Sequence, residues 1–585
     1  MISLIKLFRY LKNYKLKSIL GPLFKLTEAC FELAVPLVMA KIIDVGIAQN
    51  DTGYIVKMGA VLIALGILGL AASLTAQFFA ARASLGFGTE LRRDLFHHIN
   101  TLSHKEIDRV GASTLVTRMT VDIDQAQTGI NMLLRLFLRS PFIVIGAIIM
   151  ACTVSFKLTA IFLVASLFLG FIIFAIMKTT VPLFKKIQKK LDVTTLMARE
   201  NLSGVRVIRA FSRQESEEKE FKENANALLD LQVKAGKISA LTNPCTFVLV
   251  YIAIIAIIWF GGISVDSGSL TQGELIALIS YMNQILLALL AVAILVTSLT
   301  RAQASAHRIN EVFDIKPSVT DDGNTTVDDI PSAPAVVFED VSFSYNDNEE
   351  YSIKDISFTV SRGETVGIIG GTGSGKSTLV NLIPRFYQYS SGSIKVCGTD
   401  VSKYPFDQLR GKIGFVPQKA ELFRGTVREN LQYRKRDASD DELRNALDIA
   451  QALDFVNAEP EGLDHMIVGG GKNLSGGQRQ RLTIARALIG DPEILILDDS
   501  ASALDLATDA ALRKALKEKT KGMTVFVVSQ RVSSIRHADK ILVLDDGELV
   551  GIGSHEQLLE SCPIYLEICN SQQYSDNRGE GIRNE

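Results

Sequence analysis

The stretch Gly370-Gly-Thr-Gly-Ser-Gly375-Lys376-Ser377 fits the pattern G-x-x-x-x-G-K-[ST] in full. It follows an apolar run at 365–369, which predicts a strand, and it opens a helical run at 378–386. Glycines let backbone N–H groups close around phosphate oxygens, and the amino end of the helix adds positive potential. In such a loop the lysine reaches the β- and γ-phosphates, while the serine hydroxyl binds Mg²⁺. The stretch therefore predicts a nucleotide site in an α/β domain.

A second apolar run, Ile494-Leu-Ile-Leu-Asp498, predicts a buried strand that ends in a carboxylate. Beside a phosphate loop, an aspartate at the carboxyl end of a strand is placed to hold the water shell of Mg²⁺. The same residue could instead cap a turn, but the complete loop at 370–377 favours the metal role.

The composition of the 585 residues indicates a membrane protein with a soluble part. The chain is 48% hydrophobic and 21% charged, which is unusual for a purely soluble enzyme and argues against disorder. A formal net charge of −1 provides no basic field for nucleic acid. The six cysteines form no C-x-x-C pair, which argues against a disulfide framework or a zinc site.

The apolar residues concentrate in the first 300 positions, in stretches that each approach the roughly 20 residues needed to cross a bilayer. These stretches lie at 18–43, 58–82, 133–155, 158–178, 246–264 and 274–299. Six of them favour membrane spans over buried helices of a soluble core.

The connections between these spans differ in charge. The long connections at 82–139 and 178–237 are rich in Lys and Arg, whereas the short ones are not. This bias predicts that both long loops and both chain ends lie in the cytosol. Helix formers at 90–102 and 215–231 predict that the spanning helices continue beyond the bilayer.

The expected division of the chain follows from these patterns. We expect a transmembrane domain with six helices and cytosolic coupling loops at 1–315 and a Pro-punctuated linker at 316–335. A nucleotide-binding domain of alternating strands and helices is expected at 336–570, followed by a disordered tail at 571–585.

The sequence Asn473-Leu-Ser-Gly-Gly-Gln-Arg-Gln-Arg481 identifies the family that the chain resembles. Together with the phosphate loop and Asp498, it resembles an ATP-binding cassette (ABC) exporter half-transporter over nearly the whole chain. Leu115-Val-Thr-Arg-Met-Thr-Val-Asp122 is similar to the first cytosolic coupling loop of that family. The resemblance implies an α-helical six-span transmembrane domain of type I exporter kind, fused to an α/β P-loop nucleotide-binding domain.

The resemblance also implies roles for individual residues, with ATP and Mg²⁺ as cofactors. Tyr345 matches the aromatic residue that stacks on adenine, Gln418 the Q-loop, and 502–505 the D-loop. In the family, the signature closes over ATP held by the opposite subunit, so two cassettes form one closed site. The expected ATP-binding residues are Tyr345, Gly370, Gly371, Thr372, Gly373, Ser374, Gly375, Lys376, Ser377, Thr378, Gln418, Ser475, Gly476, Gly477 and Gln478, with Ser377, Gln418 and Asp498 at the metal.

Two positions depart from the family pattern. The residue after Asp498 is usually Glu, the base that polarises the attacking water, but here it is Asp499. The switch histidine is replaced by Gln530, and an amide cannot carry the charge of a protonated imidazole. Gly469 also replaces a glutamate that is frequent before the signature. With the signature intact, these losses resemble the degenerate subunit of a heterodimeric bacterial exporter, whose partner has an altered signature and keeps Glu and His.

The transported substance is the least specified part of the prediction. Glu28 and Glu32 lie four residues apart in the first span, so they share a helix face and are substrate candidates. Spare negative charge there would favour amphipathic cations and multidrug efflux, whereas an internal ion pair would be structural. We therefore expect ATP-driven export of drugs or lipid-like molecules across the bacterial inner (plasma) membrane by a multi-pass protein with a cytosolic cassette.

The expected surroundings are membrane lipids and an amphipathic small molecule, without nucleic acid. The alternatives are a lipid or peptide exporter and a regulatory subunit that does not hydrolyse ATP. By resemblance, the segments 111–124 and 208–214 are the expected coupling helices.

Overall fold

The computed structural model describes residues 2–321, 327–328, 330–345, 350–500, 502–520 and 522–581. The chain forms two compact units. The first comprises Met1–Asn100 and Ala112–Asp314, and the second comprises Thr101–Gly111 and Ile315–Glu585. The short segment Thr101–Gly111 therefore belongs with the C-terminal unit, although it lies within the N-terminal half of the sequence.

The part of the chain before the first strand is helical. Short 3₁₀ and π segments at Phe8–Tyr14, Ile42–Ile47 and Arg118–Asp122 join its α-helices. These helices are α1 Ile2–Leu7, α2 Lys15–Lys41, α3 Thr52–Thr101, α4 His104–Val110, α5 Ala112–Thr117, α6 Ile123–Leu136, α7 Arg139–Val154, α8 Phe156–Ser203, α9 Val205–Ala210, α10 Gln214–Ala240, α11 Thr242–Asp266 and α12 Gln272–Phe313.

Within the described residues, five helical segments are long and apolar enough to cross a membrane. They are Thr52–Thr101, Ala112–Val154, Phe156–Ser203, Gln214–Asp266 and Gln272–Phe313. The sixth expected span, 18–43, forms the continuous helix α2 but is not among them, because three charged side chains, Lys25, Glu28 and Glu32, interrupt its apolar part. Its length of 27 residues is sufficient to cross a bilayer as a helix.

Close packing in the first unit relies on small residues where helices approach each other. Helix α12 packs against α2, α6, α7 and α11. A Cβ on Gly273 of α12 would lie 2.3 Å from the carbonyl oxygen of Ala40, so only glycine permits this approach. Further along the same interface, the fully buried Tyr281 donates a hydrogen bond from its hydroxyl to the carbonyl oxygen of Leu33 at 2.9 Å.

The second unit contains the strands. They are β1 Val336–Phe343, β2 Ile353–Val360, β3 Thr365–Gly370, β4 Ser391–Val396, β5 Thr399–Asp400, β6 Ile413–Val416, β7 Gly425–Thr426, β8 Met466–Ile467, β9 Ile494–Asp498, β10 Thr524–Val528, β11 Lys540–Asp545 and β12 Glu548–Gly553. A four-stranded antiparallel sheet has the order β2-β1-β4-β5, and β7 pairs with β8. The six-stranded sheet has the order β12-β11-β3-β10-β9-β6, in which only β12 is antiparallel to its neighbour.

Helices and 3₁₀ turns connect these strands. The helices are α13 Lys376–Leu382, α14 Phe406–Lys412, α15 Val427–Leu431, α16 Asp440–Ile449, α17 Leu453–Ala458, α18 Gly476–Leu488, α19 Leu506–Lys519, α20 Val532–Ile535, α21 His555–Ser561 and α22 Pro563–Gly581. Both faces of the parallel sheet are covered: Leu495 and Leu497 join one apolar core, while Ile494 and Ile496 join another. This two-sided burial explains the uninterrupted apolar runs in its strands.

The register of the parallel strands brings four chain segments to one edge of the sheet. Asp498 pairs with Val528, Leu497 pairs with Val416, and Val528 pairs with Ile368. The residues that follow β3, β6, β9 and β10 therefore emerge side by side. In open α/β sheets, this carboxyl edge is where ligands bind.

The structure describes parts of the expected linker and tail. At the end of the linker, the Arg362 side chain donates hydrogen bonds to the carbonyl oxygens of Ile330 and Ala333, so this part packs on the cassette. Residues 322–326 and 329 lie outside the described residues. Helix α22 continues to Gly581, and 582–585 lie outside the described residues.

We predict that Gly273→Ala lowers the free energy of unfolding of the first unit by about 1–3 kcal/mol, the usual effect of overpacking. The added methyl group would meet the Ala40 backbone. Gly262→Ala is the matched control, because nothing lies within 4 Å of a Cβ there. Thermal unfolding of the full chain in detergent measures the difference, and equal melting temperatures for the two variants would contradict the packing role.

Candidate functional site

The phosphate loop connects β3 to α13 at the carboxyl edge of the parallel sheet. Gly375 has φ +91°, and a Cβ there would lie 2.7 Å from the carbonyl oxygen of Ser352, so the tight turn requires glycine. The Lys376 ammonium donates hydrogen bonds to the carbonyl oxygens of Gly370 at 3.0 Å and Gly371 at 2.5 Å. Burial lowers the pKa of Lys376, although Asp499 and Asp498 oppose this shift. The loop thus holds a partly desolvated cation inside its own backbone.

Ser377 and Asp498 meet at the base of this loop. The Ser377 hydroxyl donates a hydrogen bond to Oδ1 of Asp498 at 2.8 Å. Asp498 is only 4% exposed, and burial raises its pKa, with Asp499 contributing in the same direction. A hydroxyl and a carboxylate beside a phosphate loop are the oxygen donors that Mg²⁺ prefers when substrate phosphates complete its shell. Ser377 and Asp498 therefore fit an Mg²⁺ site. A bound metal would reduce the repulsion between the carboxylates of Asp498 and Asp499.

The two residues that depart from the family pattern lie on the loops after β9 and β10. Asp499 has φ +44°, and its N–H donates to the carbonyl oxygen of Val528 at 3.0 Å. Gln418, two residues after β6, donates from Nε2 to Oδ2 of Asp499 at 3.3 Å. The fold thus brings Gln418 and Asp499 into contact.

Gln530 lies on an exposed turn that is held by the C-terminal helix. Its carbonyl oxygen accepts a hydrogen bond from Nε2 of Gln572 at 2.7 Å. Oε1 of Gln572 in turn accepts from the Val532 N–H at 2.8 Å. Both bonds fix the backbone on either side of Arg531. No sequence pattern pointed to Gln572, because its contribution depends on where α22 folds back.

The adenine-stacking candidate, Tyr345, lies beside the phosphate-loop helix. Its hydroxyl is 3.1 Å from the Thr378 hydroxyl, and the residue is 38% exposed. Its ring makes an edge-to-face contact with Tyr387, with centroids 5.2 Å apart. Burial raises the pKa of Tyr345, so the phenol stays neutral at physiological pH. A half-exposed ring at this place can stack on a base.

The signature residues form the amino end of α18. Ser475 and Gln478 make a reciprocal capping box, in which the Gln478 N–H donates to the Ser475 hydroxyl at 3.2 Å. Gly476 is exposed, and nothing lies within 4 Å of a Cβ there. Among the described residues, no hydrogen bond links this segment to the phosphate loop of the same chain. The helix end is thus fixed in shape and open to a ligand.

A cluster that the sequence did not reveal joins α4 to the cassette within the second unit. The Tyr387 hydroxyl donates to Oδ2 of Asp108 at 2.7 Å, and the His104 ring lies 4.6 Å from the Phe386 ring. Within the second unit, α4 therefore contacts the cassette through His104 and Asp108. The expected coupling segments 111–124 and 208–214 stay predictions.

The substrate candidates Glu28 and Glu32 are both paired. The Lys25 ammonium lies 2.5 Å from Oε2 of Glu28, and Nη2 of Arg139 lies 2.7 Å from Oε2 of Glu32. Of the two alternatives for these carboxylates, the structure shows the ion-paired one, and their role as substrate candidates stays a prediction. The sequence showed Lys25 one turn away, but the contact with Arg139 depends on how α7 packs against α2.

We predict that Ser377→Ala reduces the gain in ATP affinity that Mg²⁺ provides by about tenfold, or 1.4 kcal/mol. ATP affinity without Mg²⁺ should stay nearly unchanged, because the hydroxyl acts through the metal. Ser393→Ala is the matched control, since its hydroxyl also donates to a carboxylate, that of Glu339 at 2.7 Å. Titration of a fluorescent ATP analogue with and without Mg²⁺ tests this, and an unchanged Mg²⁺ effect in Ser377→Ala would refute it.

We also predict a pH-dependent stability of the α4 contact. Burial lowers the pKa of His104 below its ordinary 6.5. Because the folded chain disfavours the protonated ring, the stabilisation is complete above pH 6.5 and is lost as the pH falls through the lowered pKa. His104→Gln should flatten this dependence between pH 7.5 and pH 5.5 in thermal unfolding. The exposed His97, changed to Gln, should leave the dependence intact; an identical effect of both changes would rule out the buried ring as its source.

Comparison with known proteins agrees with this geometry. The profile described as "ABC transporter transmembrane region" matches residues 18–289, and the profile described as "ABC transporter" matches residues 353–502. An ABC transporter ATP-binding protein of Mycobacterium tuberculosis is 38% identical over 98% of both chains.

Two further relatives have more specific names. A probable multidrug resistance ABC transporter ATP-binding/permease protein of Bacillus subtilis is 35% identical over 83% of this chain and 82% of its own. An ATP-dependent lipid A-core flippase of Desulfotalea psychrophila is 31% identical over 97% of this chain and 99% of its own.

Among solved structures, a bacterial Atm1-family ABC exporter with ATP bound is similar in fold, with a TM-score of 0.79 and 24% identity. It covers 95% of this chain and 98% of its own. The apolar helices and the C-terminal ATPase domain are those of a multi-pass membrane protein, consistent with the inner membrane. The chain belongs to the ABC transporter family, as an exporter half-transporter in which a membrane domain is fused to an ABC ATPase domain.

Proposed function

We propose that this chain is the degenerate half of a heterodimeric exporter of amphipathic compounds. In this proposal, its own phosphate loop binds ATP but hydrolyses it poorly, while its signature completes the hydrolytic site on the partner. The observation that carries the proposal is Asp499, at the position where the family has the catalytic glutamate.

The surroundings of Asp499 support a loss of hydrolysis. An aspartate carboxylate lies one methylene closer to the backbone than that of glutamate. The Asp499 N–H donates to the carbonyl oxygen of Val528, and the Asp499 carbonyl oxygen accepts from the Ser502 hydroxyl at 2.8 Å. The backbone of Asp499 therefore has little freedom to move toward the phosphate loop. A misplacement of about 1 Å in a reacting group can cost a hundredfold in rate.

The environment of Gln530 also supports a loss of hydrolysis. The neutral amide has no positive charge with which to stabilise the negative charge that develops on the γ-phosphate. The contacts of Gln572 hold its backbone, which limits any rearrangement that would bring another cation to this position. Two of the groups that activate water and stabilise the transition state are thus weakened together.

The signature supports the other half of the proposal. Ser475 and Gln478 preserve the capping box, and the backbone of Gly476 is exposed at the amino end of α18. A preformed helix end with free N–H groups binds anions such as a γ-phosphate. An intact signature next to a weakened hydrolytic site favours a subunit whose signature completes the ATP site of its partner.

The names of the relatives support an amphipathic cargo. One relative is named a probable multidrug resistance transporter and another a lipid A-core flippase, which agree in handling amphipathic molecules. A lipid-like cargo is the second candidate. The arginine side chain of Arg139 within the spanning helices favours it, because a guanidinium can bind the acidic headgroup of a lipid. A peptide exporter and a regulatory subunit remain the alternatives.

We predict that the purified chain alone shows little ATPase activity, and that Asp499→Glu with Gln530→His raises it at least about tenfold, because both missing groups return. The control is the Glu/His variant with Lys376→Ala, which should remove the gain because the lysine contacts the phosphates. Phosphate release at saturating Mg²⁺ and ATP measures the rate. Brisk turnover by unmodified copies of this chain, abolished by Asp499→Asn, would overturn the heterodimer proposal.

A further inference from the structure

A cluster of charged and polar side chains lies within the membrane-spanning part of the first unit. Lys25, Glu28 and Glu32 of α2 meet Arg139 of α7, and Nε2 of Gln284 on α12 donates to the carbonyl oxygen of Glu32 at 3.2 Å. Charged groups inside a bilayer are costly unless they are paired or line a polar pathway. The Glu32 side chain is 37% exposed, so a ligand can reach it.

The positive charges of this region outnumber the negative ones. Arg135 lies one helical turn before Arg139, and the backbone keeps helical angles through Phe137 and Leu138. Within the described part of the chain, Arg135 has no ion-pair partner, and its buried Nε has no hydrogen-bond acceptor. Three cations thus accompany the two carboxylates, which leaves one net positive charge.

The unsatisfied atoms of this region are mostly hydrogen-bond donors. In the described residues, the buried Nε atoms of Arg135 and Arg139 and the Ser140 hydroxyl lack partners, as does the acceptor Oε1 of Gln284. Ser140 is completely buried. A buried donor without an acceptor costs about 1–3 kcal/mol, and more when it is charged. A set dominated by cationic donors suits an oxyanion.

The pairing of Arg139 shows how an anion could enter. Glu32 engages only Nη2 at 2.7 Å, while the distance from Nε to Glu28 is 4.0 Å, beyond a hydrogen bond. A carboxylate or phosphate placed on the guanidinium edge could use Nε and Nη2 together, in the bidentate geometry that arginine favours. The partly exposed Glu32 is then the group that such an anion would displace.

We propose that Arg139 and Arg135 form a binding site for the acidic headgroup of an amphiphile, with Glu32 as the carboxylate that occupies Arg139 until the headgroup replaces it. This inference rests on the proposed export function and narrows its cargo to amphiphiles with a phosphate or carboxylate. The surrounding spans provide the apolar environment for the alkyl chain. The Lys25–Glu28 pair stays closed, since it is the less exposed pair of the two.

The test measures binding of three probes to the full chain in a non-ionic detergent by native mass spectrometry. Dodecyl phosphate should bind at least about tenfold more tightly than dodecyltrimethylammonium, which has the same chain and the opposite charge. Inorganic phosphate separates a headgroup site from a site for the free anion. Its displacement of dodecyl phosphate at equal concentration would overturn the amphiphile assignment.

Variants assign the effect to the named groups. Glu32→Gln should tighten the binding of dodecyl phosphate, because the competing carboxylate is gone, whereas Arg139→Gln should abolish it. Arg139→Lys keeps the positive charge but cannot bind an oxyanion through two parallel N–H groups, so it should weaken binding by about tenfold. It also serves as the second variant in case Arg139→Gln does not fold. Arg135→Gln should weaken binding, and Lys157→Gln, at an exposed residue between two spans, is the charge-matched control.

Two further results would overturn this inference. They are equal binding of the two dodecyl probes and equal effects of Arg139→Lys and Lys157→Gln. Because the assay needs no ATP hydrolysis, its failure leaves the heterodimer proposal intact. Conversely, brisk ATPase activity of the chain alone would overturn that proposal without affecting this site.

Discussion

The pairing of β9 with β6 on one side and β10 on the other determines the geometry of the nucleotide site. Because the strands are parallel, the segments that follow Val416, Asp498 and Val528 leave the sheet at the same edge as the phosphate loop. A shift of one residue in this register would turn Asp498 away from Ser377, since successive side chains of a strand point to opposite faces. The apolar cores on both faces fix that register, and the hydrogen bond between Ser377 and Asp498 is its direct consequence.

The same edge also holds the two residues that depart from the family pattern. Asp499 and Gln530 follow adjacent strands, and each has its backbone held by a neighbouring segment. A shortened carboxylate can be compensated only if its backbone moves, and these contacts resist such movement. The signature helix lies outside this constraint, so in the proposed degenerate cassette its amino end would stay intact even where hydrolysis is slow.

The membrane-spanning unit is governed by a different cost, that of charge in an apolar environment. Pairing of Lys25 with Glu28 and of Arg139 with Glu32 reduces this cost but leaves Arg135 without a partner among the described residues. A purely structural network would be expected to satisfy its donors. The excess of donors therefore favours a site for acidic ligands over the cation-binding face that Glu28 and Glu32 suggested from the sequence.

The sequence by itself determined the local chemistry: the phosphate loop at 370–377, the strand ending at Asp498, the signature at 475–478 and the two departures at Asp499 and Gln530 are contiguous patterns. It also predicted apolar spans and their cytosolic extensions, because span length and helix period are local properties. Only the tertiary structure decided that Asp108 meets Tyr387, that Gln572 holds the turn at Gln530 and that Arg139 neutralises Glu32. These contacts join residues separated by 42 to 279 positions, and such long-range pairs depend on how helices pack, which no local pattern encodes.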